Sequence, residues 1–210
     1  MSEPFVSEPL AYPRRHWIEY AATLGALVVS VISLWVAIAT EKANQKMVDA
    51  NYRMVAAASW PFLQITSGNS DDDGTRRITL SLENAGVGPA KIQSFEVFWR
   101  GRAYGSSWAL LKACCVTPGM APPGITTWVV TTRPVAGAVM RAGEERPFLR
   151  LDPTPANEAM WKTFDTVRQR ELSYRACYCS VFDECWISDL SKLHAQRVKA
   201  CPTPATPYNQ

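Results

Sequence analysis

From Tyr20 to Thr40 the chain runs twenty-one residues without a charged side chain, and no other feature restricts its fold as strongly. As an α-helix rising about 1.5 Å per residue, the run spans roughly 30 Å, the thickness of a bilayer's hydrocarbon core. Trp17 and Tyr20 stand at one end and Trp35 near the other, where amphipathic rings favour the headgroup level. A core helix of a soluble protein would be shorter and would carry a polar stripe, which this run lacks. The reading is a transmembrane helix over residues 17–40 in the lipid bilayer, preceded by a tail of residues 1–16. Ala37-Ile-Ala39 has the small-x-small spacing of a signal-peptidase site, and Arg14-Arg15 could open a leader. The apolar run exceeds the roughly 7–15 residues of a signal peptide's core, so the helix is expected to be retained.

Orientation is set by basic residues close to the membrane. Arg14 and Arg15 precede the span, while Lys42, Lys46 and Arg53 follow it interleaved with Glu41 and Asp49. A strict count does not favour an inside N-terminus, but the adjacency of the arginine pair does. All six cysteines fall after the span, which suits an oxidising compartment. The expectation is a cytoplasmic tail and an exported C-terminal portion.

Residues 41–59 continue helically as a stalk. Ala43, Met47, Ala50, Met54 and Ala57 are spaced 4, 3, 4, 3, the seam of a coiled coil. Either the stalk joins copies of the chain into a homo-oligomer, or its stripe lies against its own domain. Pro61 ends the helix, and residues 60–201 change texture. Short apolar or alternating runs at Phe62–Thr66, Arg77–Glu83, Ile92–Trp99, Thr126–Thr132, Pro147–Leu151, Leu172–Phe182 and Cys185–Ser188 read as about seven strands. Turn residues separate them, including Asn69-Ser-Asp-Asp-Asp-Gly74 as a hairpin tip. The fold expected is mainly β: a β-sandwich with helical insertions at Ser106–Cys114 and Ala156–Arg170. The second insertion has Met160, Trp161, Phe164 and Val167 on one face and Asn157 as cap. The Pro-rich residues 202–210 read as a disordered tail.

The most patterned short motif is Asn84-x-Gly86-x-Gly88-Pro89. A dinucleotide cradle needs a third glycine and a following helix, and here a strand follows. The motif reads as a tight connection between paired strands, its glycines at positive φ. A leading membrane helix, a short stalk, Trp60-Pro61-x-Leu63 and Leu82-x-Asn84-x-Gly86-x-Gly88-Pro89-Ala90-x-Ile92 together resemble a group of small bacterial single-pass membrane proteins. The Asn-x-Gly connections and the later Gly143-Glu144 are similar to those of Ig-like and fibronectin-like sandwich modules. The resemblance implies a fold, and the orientation read above makes the expected place the bacterial inner membrane, with the domain periplasmic. The resemblance implies no activity.

Cys114, Cys115, Cys177, Cys179, Cys185 and Cys201 are an even set. Exported, they read first as disulfides, with fifteen full pairings open. On an extended strand Cys177 and Cys179 share a face, near the upper distance for bonding each other. A turn at residues 180–184 can return Cys185 beside Cys179, and Cys201 can staple the tail. Three other readings stay open. One is a redox C-x-C pair at Cys177/Cys179 with Arg175 as the nearby cation. The second is a zinc site of Cys177, Cys179, Cys185 and His194, and the third is buried free thiols in a cytoplasmic domain.

Catalytic machinery is scarce. The chain has two histidines, His16 and His194, and neither G-x-S-x-G nor H-E-x-x-H. Glu144-Glu145 and Asp183-Glu184 are acidic pairs at turns. Arg100, Arg102, Arg133, Arg141, Arg146 and Arg150, with Trp99, Trp108 and Trp128, could meet an anionic surface or glycan, or simply form a soluble face. A net charge of +3 over 210 residues is too small for a dedicated nucleic-acid binder. The expectation is a membrane-anchored interaction or scaffold module binding a protein or envelope partner, with no cofactor and no catalytic set. Alternatives are an envelope thiol oxidoreductase using Cys177/Cys179 and a membrane-associated cytoplasmic effector or sensor.

Overall fold

The structure, a computed structural model, describes residues 15–116 and 129–209, with the side chains of Arg15 and His16 left aside. The tail before Arg15, and Thr126–Trp128 of one expected strand, lie outside the described residues. The chain divides into two units, Met1–Met54 and Val55–Gln210.

Helix α1 (Arg15–Ala58) is continuous through the apolar run and the stalk. By length and composition it is able to cross a membrane. Three hydroxyls at or within the apolar run bond to the helix's own backbone. Thr23 donates to the Glu19 carbonyl at 3.0 Å, Ser30 to Ala26 at 2.8 Å and Thr40 to Val36 at 2.8 Å. Back-bonding of this kind removes the polar groups that hydrocarbon cannot solvate. Past Thr40, Arg53 pairs with Asp49 one turn away at 3.0 Å. Met47 and Met54 of the expected seam are exposed in the single chain. The helix stops at Ala58 because Pro61 lacks an N–H and disfavours helical backbone at Trp60.

The second unit is built on two antiparallel sheets. The first holds β1 (Leu63–Ser70), β2 (Arg76–Asn84), β5 (Val130–Thr132) and β7 (Glu145–Leu151), in the order β1-β2-β7-β5. The second holds β3 (Ala90–Trp99), β4 (Arg102–Tyr104), β6 (Val139–Met140), β8 (Leu172–Cys179), β9 (Cys185–Ser188) and β10 (Gln196–Val198). Its order is β10-β9-β8-β3-β4, and β6 also pairs with β3. The short strands β4, β6 and β10 escaped sequence reading, because two or three residues show no periodicity. Asp71 and Gly74 close the β1–β2 hairpin, with Gly74 at φ +79°.

Alternation in β2 turns Ile78, Leu80 and Leu82 inward, and all three are fully buried. Both sheets feed one core. Phe95 of β3 meets Phe148 of β7 edge-on at 5.0 Å between ring centroids. Helix α2 (Ser107–Cys115) starts at a Ser106 cap that accepts from the Ala109 N–H at 3.2 Å. Helix α3 (Glu158–Arg170) buries Met160, Trp161, Phe164 and Val167, the face its spacing predicts. Asn157 stands at its N-cap, but the side chain turns backwards. Its Oδ1 accepts from Thr154 N at 2.6 Å, and its Nδ2 donates to the Asp152 carbonyl at 2.9 Å. It braces the loop before the helix instead of the helix itself.

The fold expectation holds in part: antiparallel sheets and a long apolar N-terminal helix are present, and with helix at 35% against 31% strand among the described residues β structure does not predominate. Nor is the Pro-rich tail of residues 202–210 free as far as Asn209. Tyr208 is fully buried, and Tyr208 N donates to the Phe95 carbonyl at 2.9 Å. Asn209 N donates to Gly105 O at 3.0 Å. The tail supplies a missing rung. Beyond β8, the other edge of β3 pairs with β6 at residues 90–91 and with β4 at residues 97–99, and Tyr208 fills the gap between them. Composition cannot reveal this, because the anchor is one aromatic residue in an otherwise polar, prolyl stretch.

Candidate functional site

Three arrangements are candidates, and the first is the Asn84 motif. Asn84 is fully buried at the end of β2. Its Oδ1 accepts from Phe62 N and Gly86 N, each at 3.2 Å. Its Nδ2 faces the carbonyls of Gly88 at 2.8 Å, Met140 at 3.2 Å and Arg141 at 3.1 Å. One amide thus ties together the residues after α1, the 84–89 turn and the loop before β7. Val87 N and Gly88 N add bonds to the Trp60 carbonyl at 3.0 and 3.2 Å.

The expected role of the motif changes accordingly. It joins β2 of one sheet to β3 of the other, not two paired strands. Gly86 and Gly88 are absent from the positive-φ glycines among the described residues, which are Gly74, Gly101, Gly137 and Gly143. They are glycine because backbone passes directly over them. A Cβ on Gly86 would stand 2.6 Å from Trp60 O, and one on Gly88 2.5 Å from Ser59 Cα. The site is a structural clasp with no room for a ligand.

The second arrangement is sulfur. The six cysteines fall into three pairs at disulfide distance: Cys114–Cys115, Cys177–Cys201 and Cys179–Cys185. Alternation puts Cys177 and Cys179 on the outer face of β8, opposite the buried Ala176 and Tyr178. They do not pair with each other. The turn after β8 returns Cys185 to register opposite Cys179, and Cys201 carries the tail onto Cys177. The two pairs lie side by side, with Cys179 Sγ 4.0 Å from Cys201 Sγ. Cys177, Cys179 and Cys185 are almost wholly buried. His194 is exposed and is not a member of this sulfur cluster, which removes it from the expected zinc set. Arg175, the expected cation for a C-x-C thiolate, is committed to the buried Glu96 by two bonds of 2.6 and 2.9 Å. That partnership pushes the guanidinium pKa up.

The third arrangement is an open groove of about 690 Å³ on the outer face of the first sheet. Thr66, Asp71, Arg77, Glu145 and Arg150 line it. Arg77 bridges Asp71 at 2.5 Å and Asp152, and the Asp152 bond chiefly raises its pKa. Three of the four acidic turn residues pair with basic neighbours, and Glu145 accepts from Thr66 Oγ1 at 2.9 Å. Glu144 accepts from Arg141 N at 3.0 Å and from Arg146 at 2.8 Å, which together hold its carboxyl below the usual range. Asp183 pairs with Lys91, and Glu184 with Arg197 at 2.5 Å. None stands as a free acid opposite another.

Of the arginine and tryptophan residues, Arg100 lies 4.9 Å over the Trp99 ring, and both reach Glu171. Trp128 lies outside the described residues. Among the arginines of the set, Arg150 lines the large groove, and Arg133 and Arg146 border an adjoining hollow of about 260 Å³ that shares Glu145 and Pro147 with it.

No protein-family model matches the chain, and no curated protein or solved structure matches it.

Proposed function

We propose that the protein is a membrane-anchored interaction module of the bacterial inner membrane. In this reading α1 holds an exported, Ig-like sandwich that meets a protein or envelope partner, and the stalk seam brings copies of the chain together. The observation that carries it is the state of the cysteines. All six stand at disulfide distance, and Cys177 and Cys179 are each spent on a different partner, the half-buried Cys201 and the buried Cys185. Such pairing suits an oxidising compartment, and Cys177 and Cys179 do not pair with each other as a C-x-C couple would. The open groove of the first sheet, with cations and carboxylates on one face, is the surface offered to the partner.

Two measurements test this reading. An export-dependent reporter enzyme fused after Gln210 is expected to be active; an inactive fusion, with a cytoplasmic reporter active instead, returns the domain to the cytoplasm and favours the effector reading. A photoreactive residue replacing Arg150 is expected to yield adducts that the same residue at exposed Gln169 on α3 does not. Adducts absent from Arg150, or equal at both positions, defeat the groove. Cysteines that cycle under mild dithiol reductant would instead favour the oxidoreductase.

A further inference from the structure

The side-by-side pairs on the outer face of β8 have a second chemistry open to them. A tetrahedral zinc–thiolate centre has Zn–S bonds of about 2.3 Å, which places its sulfurs roughly 3.8 Å apart. Cys179 Sγ and Cys201 Sγ already stand at 4.0 Å. The sulfurs of Cys179, Cys185 and Cys201 all lie within 4.8 Å of one another, and Cys177 Sγ is at bonding distance from Cys201. Three sulfurs from β8, the start of β9 and the tail therefore form the cluster, and Cys177, outside that 4.8 Å group, is joined to its edge through Cys201. We propose that, once reduced, Cys177, Cys179, Cys185 and Cys201 form a four-thiolate site for zinc or a similarly soft divalent cation. The oxidised and metal-bound states are mutually exclusive forms of the same cluster.

The chemistry balances with a named reductant. Two equivalents of a dithiol deliver four electrons and four protons, opening the Cys177–Cys201 and Cys179–Cys185 bonds to four thiols. Zinc then displaces the four thiol protons, and each sulfur gives one ligand. Opening each S–S bond to ligand spacing takes less than about 2 Å, the 4.0 Å contact between the pairs hardly changes, and the freed Cys177 side chain must also turn toward the other three sulfurs. Access exists: a cavity of about 440 Å³ reaches Cys177 between β3, β8 and Pro202–Ala205. Because Cys201 is a ligand in one state and a disulfide partner in the other, the tail that carries Tyr208 stays anchored in both. The inference extends beyond the interaction reading and does not depend on it, since it concerns the reduced chain wherever that chain resides.

The test uses the full chain in detergent, reduced with a phosphine and freed of metal. Cobalt(II) is expected to bind one per chain, with the thiolate charge-transfer and visible bands of a tetrahedral sulfur site, and zinc to displace it. Zinc is expected to protect Cys177, Cys179, Cys185 and Cys201 from alkylation, as read by mass spectrometry, while Cys114 remains reactive. His194→Ala is expected to leave affinity unchanged. Cys201→Ser is expected to weaken it by more than the roughly 10–100-fold that loss of an outer-shell partner costs. Absence of cobalt thiolate bands from the reduced wild-type chain overturns the site. So does a Cys201→Ser chain that binds as tightly as wild type, or a His194→Ala chain that loses binding. The interaction reading survives any of these results, because its own tests are topology and crosslinking.

Discussion

Tyr208 donates its backbone N–H to the Phe95 carbonyl at 2.9 Å, and its ring stands edge-on to the Phe95 ring at 5.8 Å between centroids. The same ring meets Phe148 of the opposite sheet at 5.7 Å, and its hydroxyl bonds Ser107 at the start of α2. A residue of the tail thus completes an edge of the second sheet and fills the space between the two sheets. Cys201, seven residues earlier, fastens the same segment to β8.

Tyr208→Ala is expected to destabilise the domain by about 3–5 kcal/mol, the range for emptying a buried aromatic site. Tyr208→Phe keeps the ring and loses only the Ser107 bond, at about 1–2 kcal/mol. Denaturant unfolding of the full chain in detergent checks both. Equal losses in the two variants would show that the hydroxyl, not the ring, carries the anchoring.

Burial pushes the hydroxyls of Tyr174, Tyr178 and Tyr208 above the ordinary tyrosine range. A pKa raised on folding gives stability that is complete below the unfolded value of about 10 and lost as pH climbs through the folded value. The melting temperature is therefore expected to hold up to about pH 10 and then fall, with a shallower fall in Tyr208→Phe. A melting temperature unchanged between pH 9 and 12 would contradict it.

Asn84→Ala removes an amide with five polar partners from one buried point and strands the carbonyls facing its nitrogen. A loss of about 3 kcal/mol or more follows from the cost of buried unsatisfied groups. Asn84→Asp is expected to be worse at neutral pH, because a carboxylate would face the carbonyls of Gly88, Met140 and Arg141. Equilibrium unfolding ranks the two, and an Asp variant as stable as wild type would refute the clasp.

Gly88→Ala forces a Cβ against Ser59 backbone, which has no flexible end to yield. The expected cost is about 1–3 kcal/mol or more. Gly68→Ala is the contrast, because its Cβ would meet only Ser70 O at an ordinary 3.6 Å. The two variants are compared by unfolding midpoint, and the reading fails if Gly68→Ala is the more damaging.

Glu144 shows the acid side of the same domain. Its lowered carboxyl pKa, set first by Arg141 N and then by Arg146, contributes stability that is present above the ordinary value of about 4.3 and lost as pH falls through the folded one. Glu144→Gln is expected to flatten that acid loss. Melting curves from pH 6 to 3 read it, and identical acid profiles would count against the pairing.

What was legible in advance follows from pattern length. A twenty-one-residue uncharged run permits one helix and little else, because its backbone must satisfy itself wherever the run lies in lipid. The alternating run at Ile78, Leu80 and Leu82 and the 3–4 spacing of Met160, Trp161, Phe164 and Val167 each fix a buried face, since side-chain direction repeats with the local geometry. Pro61 and Ser106 punctuate helices by chemistry that acts within a few residues. At the candidate site, the residues of the Asn84 motif and the cysteines were visible, but their partners were not.

Partnership was decided by tertiary structure. Gly86 and Gly88 are required by Ser59–Phe62 passing over them, a relationship across about 25 residues that no local preference encodes. Cys177 chose Cys201 over Cys179, and His194 was left outside the cluster, because β9 and the tail converge on the outer face of β8. Tyr208 became core because a gap in the β3 edge and a space between the sheets coincide where the tail arrives. The sequence alone determined which segments must leave water and with what period. Which residues meet there depended on how the two sheets and the tail come together, and that is a property of the folded chain only.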